Sequence, residues 1–181
     1  MILKLISRFI LWIFGWKFIG GAPDAKKLVL AIAPHTSNLD VFLGKLASWI
    51  AGTKTQIIVK KEAFTFFQGP FIRMWGGVPL DRSDTGTVVE DIIKLFNEKD
   101  EFILAITPEG TRKKNPEWKT GFYRIAVGAK VPIYFAYIDF ATKTMGMDKR
   151  FDPTGDFKKD IKEIKDFFKD MKGYHRDKFA T

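Results

Sequence analysis

Apolar residues in this chain fall into short unbroken runs separated by stretches of helical periodicity, and that alternation sets the expected fold. Residues 28–33, LVLAIA, are continuously apolar, as in a strand buried on both faces. Leu39, Phe42, Leu43, Leu46 and Ile50 then recur at helical spacing, with Ser37 or Asn38 placed to cap the helix. Residues 56–59 are short and β-branched, a second strand, and residues 77–80 form a third. A helix carrying Val88, Ile92, Leu95 and Phe96 on one face follows, capped by Thr85 or Thr87. After a turn at 97–100, residues 102–106 read as another buried strand, 121–129 as a helix and 132–138 as a strand. Residues 141–153 suit a hairpin or loop. Phe157, Ile161, Ile164, Phe167, Phe168 and Met171 give a final amphipathic helix that starts near Thr154 or Asp156. Its outer charges alternate in sign, as on a solvated face.

This alternation predicts an α/β fold: a single domain with a largely parallel central sheet flanked by helices and joined by right-handed crossovers. The domain is expected to span residues 23–181, after the break Gly20-Gly21-Ala22-Pro23-Asp24.

Residues 1–22 are the most apolar part of the chain. Read as a helix, they place Lys4 and Arg8 on one face. The longest uncharged run, 9–16, falls short of the ~20 residues that span a bilayer. Trp12, Trp16 and Lys17 suit the headgroup region. An interfacial, membrane-associating amphipathic helix is the leading expectation, and it would put the protein on the cytoplasmic face of a membrane as a peripheral or monotopic component. A helix packed on the domain's own core and a signal peptide are the competing readings. Residues 64–77, FTFFQGPFIRMWGG, are aromatic and broken by Gly69-Pro70, hence a short helix or loop.

Composition narrows the chemistry. The chain has 181 residues and no cysteine, which excludes disulfides, cysteine nucleophiles and cysteine-held metals. Its two histidines, His35 and His175, are far apart, which argues against a histidine-rich metal site. A net charge of +9 draws the protein toward something anionic: nucleic acid, an acidic carrier protein, coenzyme phosphates or an anionic membrane. It is equally consistent with a lysine-rich solvated surface. Nucleic acid is disfavoured, since no basic recognition helix or RNA-binding motif is present.

His35 stands at the carboxyl end of the first predicted strand, where open α/β sheets place their sites. On one continuous helix His35 and Asp40 would diverge by about 140°. A turn at Thr36-Ser37 lets the aspartate fold back to the imidazole, and an imidazole held by a carboxylate is a good general base. The plainer alternative is a capping histidine, with Asp40 serving the helix dipole. Arg82 follows the third strand, and Glu109, Gly110, Thr111 and Arg112 follow another. Arginine grips phosphate bidentately, and glycine admits close backbone approach. Each turn alone would pass for a surface ion pair.

Taken in order, His35 with Asp40 five residues on, Gly77-Val78-Pro79-Leu80-Asp81-Arg82, Glu109-Gly110-Thr111-Arg112 and Val131-Pro132-Ile133 resemble the four blocks of the glycerolipid acyltransferases of the lysophosphatidate acyltransferase type. The resemblance covers residues 28–138. It implies transfer of an acyl chain from a thioester, acyl-CoA or acyl carrier protein, to a lysolipid hydroxyl, with 1-acyl-glycerol-3-phosphate as the leading acceptor. It makes His35 the base and Asp40 its orienting partner, puts Arg82 on the acceptor phosphate, and lines the site with Glu109, Gly110 and Thr111. Arg112 becomes a further anion contact, and Lys60 falls where relatives carry a site lysine. No metal or cofactor is implied, because the thioester brings its own leaving group and acts as co-substrate. Pro34 stands where many relatives have asparagine, and Tyr134-Phe135-Ala136 departs from the usual aliphatic continuation. Relatives acylate several lysolipids, so lyso-ornithine lipid remains an alternative acceptor. A Ser37-based hydrolase and a non-catalytic basic protein binding membrane or nucleic acid are the other readings. Phe64, Phe66, Phe67, Phe71, Met74 and Trp75 would line an acyl-chain tunnel, dip into the membrane or pack in the core.

Overall fold

A computed structural model describes residues 2–81 and 87–181. Seven strands form one sheet: β1 (Lys17–Gly20), β2 (Lys27–Ile32), β3 (Thr55–Lys60), β4 (Gly77–Leu80), β5 (Phe102–Ile106), β6 (Ile133–Asp139) and β7 (Thr144–Phe151). Their order is β1-β7-β6-β2-β5-β3-β4, and every pairing is parallel except that of β6 with β7. The helices are α1 (Ile2–Ile13), α2 (Leu39–Ala51), α3 (Gly69–Met74), α4 (Val88–Glu98), α5 (Gly121–Ala129) and α6 (Phe157–Phe168). This is the expected α/β fold with a mostly parallel sheet.

The central strands are apolar throughout because both faces are covered. Val29, Ala31, Phe102, Leu104, Ile133 and Phe135 pack beneath α4, α5 and α6. On the opposite face Leu28, Leu30 and Ala136 lie under the α2 layer, where Leu43, Leu46 and Ile50 meet Leu11 of α1, Ile138 and Met145. Of the residues expected on α4, Ile92 and Phe96 are buried, joined by Val89. Asp156 rather than Thr154 caps α6, its carboxylate accepting from the Lys159 amide at 3.2 Å.

Two features depart from the sequence pattern. The apolar N-terminal stretch is a helix only to Ile13, and residues 17–20 form β1, paired with β7. Strand β7 would otherwise leave its outer edge of amide and carbonyl groups unpaired, and β1 fills it. Residues 1–22, expected as a segment apart from the domain, therefore supply a strand to its sheet. Residues 141–153, read as a hairpin or loop, are the turn and second arm of the β6–β7 hairpin, as expected. Asp160, one of the charges read as solvated on α6, is buried. It accepts from the Tyr123 hydroxyl at 2.7 Å and from the amide and hydroxyl of Thr154 at 2.7 and 2.8 Å. Burial opposes its charge, but these donors outweigh it and hold the carboxyl below its usual range.

Among the described residues no helix is long and apolar enough to cross a membrane. Large apolar side chains are nevertheless exposed along α1 (Ile2, Phe9, Trp12), at the start of α2 (Leu39, Phe42) and on the aromatic segment before and within α3.

The Tyr123 hydroxyl also accepts from the Gly155 amide at 2.9 Å, so it ties α5 to the turn that opens α6. Tyr123→Phe removes one of the three donors to the buried carboxylate and leaves that amide without its acceptor. Chemical denaturation should show a loss of about 1–3 kcal/mol, with the fold retained by circular dichroism.

Candidate active site

Strand β2 ends at Ile32, and Ala33-Pro34 carry the chain over the carboxyl edge of the sheet to His35. Four residues later α2 begins, and Asp40 lies in its first turn. The Oδ2 atom of Asp40 accepts from the Thr36 amide at 2.8 Å and the Ser37 amide at 2.9 Å, and lies 3.1 Å from His35 Nδ1. The aspartate thus closes the turn and holds the ring at once. Of the two expected caps, Ser37 Oγ accepts from the Leu39 amide at 3.1 Å, while the Asn38 side chain makes no cap bond. A carboxylate only accepts, so the ring nitrogen facing it carries the hydrogen and Nε2 is left with its lone pair.

Glu109 stands on the other side of His35. Its Oε1 accepts from the His35 amide at 2.6 Å, and the residue is fully buried, at 0% exposure. Glu109 Oε2 and Asp40 Oδ1 are both buried without a partner among the described residues. Burial pushes the Glu109 carboxyl up to about 8, only partly offset by the His35 N–H, and the neighbouring Asp40 charge adds to the rise. Glu109 is therefore a neutral acid at pH 7.

The loop after β5 is held in shape by its own bonds. The Gly110 amide donates to Thr107 O at 3.0 Å, the Lys119 amide to Pro108 O at 2.8 Å, and Asn115 Nδ2 to Glu109 O at 2.9 Å. Gly110 has φ +67°, and a Cβ there would stand 2.7 Å from Lys119 Cγ, so the position requires glycine. From the C-terminal tail, the His175 amide donates to the buried Thr36 hydroxyl at 3.2 Å. A Cβ on Gly173 would lie 2.5 Å from that hydroxyl oxygen. The second histidine thus buttresses the first one's loop through its main chain.

Two cavities meet at His35. The larger, about 610 Å³, is walled mainly by apolar side chains such as Ile32, Ala47, Ile57, Ile106 and Val89, with His35 and Asp40 among its lining. It passes through an opening in the sheet: β3 pairs with β5 only at Thr55 and Gln56, and beyond that point the edges carrying Ile57, Ile58, Ala105 and Ile106 line the space. The smaller, about 430 Å³, is polar and cationic, lined by His35, Thr107, Gly110, Thr111, Arg112 and Lys113.

The fold therefore brings His35, Asp40, Glu109, Gly110, Thr111 and Arg112 together. Arg82 lies outside the described residues. Lys60 is exposed at the end of β3, outside both cavity walls. Of the aromatic segment, only Trp75 lines the larger cavity; Phe66 and Phe67 are 88% and 87% exposed. Core packing and a tunnel wall are thus both excluded for those two rings. Lys45 and Thr107 line the larger cavity without any signal in the sequence pattern. Lys45 sits on a helix face among apolar neighbours, and only the folded register shows which way that face turns.

Glu109 gives the folded protein a pH signature. The unfolded side chain titrates near 4.5, whereas the folded one keeps its proton to about 8. Between those values the folded state holds the extra proton, so raising the pH withdraws stability. Glu109→Gln cannot ionise, and thermal unfolding from pH 5 to pH 8 should show its melting temperature gaining steadily on the wild type. A gap that does not change with pH would mean that Glu109 is ionised in the fold.

Comparison with known proteins gives the chain a family. Residues 22–139 match the family model described as Acyltransferase. The chain is 32% identical over 124 residues to a 1-acyl-sn-glycerol-3-phosphate acyltransferase of Saccharomyces cerevisiae, a match covering 65% of this chain and 40% of that protein. The chain thus spans less than half the length of that curated relative. In fold it resembles the crystal structure of the 1-acyl-sn-glycerophosphate acyltransferase PlsC from Thermotoga maritima, with a TM-score of 0.60 at 19% identity over 90% of this chain and 74% of that one. With the family model spanning well over half of its residues, the chain belongs to the acyltransferase family.

Proposed function

We propose that the protein is an O-acyltransferase that moves a fatty acyl chain from a thioester, acyl-CoA or acyl carrier protein, to the hydroxyl of a lysolipid, with 1-acyl-glycerol-3-phosphate as the leading acceptor. The observation that carries this reading is the position of the His35–Asp40 pair where an apolar cavity meets a cationic polar one. A hydrocarbon chain suits the first compartment, and a phosphate suits the second, beside Arg112 and Lys113. The chemistry has to occur where the two meet.

In this mechanism Nε2 of His35 takes the proton from the acceptor hydroxyl as its oxygen attacks the thioester carbonyl. Asp40 Oδ2 stabilises the imidazolium that forms. The carbon–sulfur bond then breaks, and the imidazolium returns the proton to the thiolate. No acyl-enzyme is needed, since the leaving group is already good and the remaining task is to activate a weak nucleophile beside it. Neutral Glu109 suits this cycle, because a second full charge beside Asp40 would hold the imidazolium proton too firmly to return it.

The exposed apolar residues of α1, α2 and the α3 region, with Lys4 and Arg8 on α1, support a peripheral seat on an anionic membrane. Such a seat delivers an amphiphilic acceptor directly to the cavities that meet at His35. The cytoplasmic face, where acyl thioesters are held, is the proposed side.

The test is release of free thiol from acyl-CoA or acyl carrier protein, followed with a thiol reagent. The protein has no cysteine, so every thiol comes from the donor. Release should depend on added lysophosphatidate and fall ~10²–10⁴-fold in His35→Ala. Release that needs no acceptor would make the protein a hydrolase. Release that answers to lyso-ornithine lipid alone would replace the acceptor.

A further inference from the structure

Among the groups lining the apolar cavity is a lysine that acyl transfer does not require. Lys45 lies on α2 five residues beyond Asp40, about 7–8 Å farther along the helix axis at 1.5 Å per residue. It shares the cavity wall with Val41, Gly44, Ala47 and Trp75. Its Nζ donates to the Trp75 main-chain oxygen at 3.2 Å and lies 5.6 Å from the centre of the Trp49 ring. Among the described residues no carboxylate pairs with it, and burial alone draws its pKa below the usual lysine range.

An ammonium has three hydrogens to donate, and Trp75 takes one. The other two have no acceptor among the described residues, so an open cavity leaves them to solvent. A hydrocarbon chain that reached this point would strip that water and leave a charged group facing methylenes, which is strongly unfavourable. The bond to Trp75 tethers the ammonium at the cavity wall.

We propose that Lys45 sets the longest acyl chain that the cavity accepts. Chains whose methyl end stops short of the ammonium leave its water undisturbed, and longer ones displace it. This inference rests on the acyl-transfer reading of the cavity and goes beyond it, by assigning donor selectivity to a residue outside the reacting groups.

The experiment takes a series of saturated acyl-CoAs from octanoyl to stearoyl, each below its micelle concentration, with the full chain. Binding without acceptor is read by calorimetry, and acceptor-dependent thiol release is read in parallel. Wild-type affinity should rise with each added pair of methylenes up to a cutoff, then stop rising. Lys45→Met, similar in reach but uncharged, should move the cutoff to longer chains and raise the long-to-short ratio of both readouts by roughly tenfold for each two methylenes newly buried. Lys45→Arg keeps the charge and should keep the cutoff. Melting temperatures confirm that each variant is folded, and Lys45→Leu stands in should Lys45→Met fail.

A cutoff that does not move in folded Lys45→Met or Lys45→Leu overturns the proposal, even where turnover shows the transferase reading to be sound. A shifted binding cutoff without acceptor-dependent release sustains Lys45 as the limit and overturns the transferase reading instead. Absence of binding at every chain length overturns both.

Discussion

One carboxylate oxygen organises the site. Oδ2 of Asp40 is reached by two consecutive amides, those of Thr36 and Ser37, and by the Nδ1 of His35. The amides fix the oxygen before the imidazole is considered, so the ring is oriented by a group that has little freedom of its own. Asp40 is in turn held by α2, which is anchored through Leu43, Leu46 and Ile50 against α1, β6 and β7. Packing on one face of the sheet is thereby converted into the direction of a single lone pair at its edge.

The second constraint is where the sheet stops being continuous. Strand β3 leaves β5 after two paired residues and continues with β4, and the opened edges line the apolar cavity. His35 stands at the end of β2, next to β5, so it faces both this space and the polar opening shaped by the loop after β5. Glu109 links the two strands' loops through the His35 amide. Being neutral, it does this without adding a second negative charge to the one the imidazole needs.

Much of this was legible in the sequence, and for physical reasons. Buried parallel strands must be apolar throughout, so β2, β5 and β6 stand out. His35 and Asp40 stand five positions apart, the spacing at which a turn running into a helix brings them together. The features that escaped notice depend on partners distant along the chain. Strand β1 is four mostly exposed residues with no alternation, and it exists because β7, more than a hundred residues later, offers an edge. Asp160 looks like its solvated neighbours until Tyr123 arrives from α5. The role of the tail around Gly173 and His175 depends on a contact with Thr36 that no local pattern encodes. By sequence Phe66 and Phe67 are open to a core, a tunnel wall or a membrane contact, and pointing outward they keep only the last of these.

The most direct test of this account is the protonation of the His35 ring itself, read by ¹⁵N nuclear magnetic resonance on the imidazoles. Only two histidines are present, and His35→Ala assigns them. The account predicts that at a pH where the ring is neutral, its hydrogen lies on Nδ1, facing Asp40, with Nε2 unprotonated, and that Asp40→Asn disturbs this preference. A ring carrying its hydrogen on Nε2 in the wild type would contradict it, because His35 would then have no lone pair to turn toward a hydroxyl.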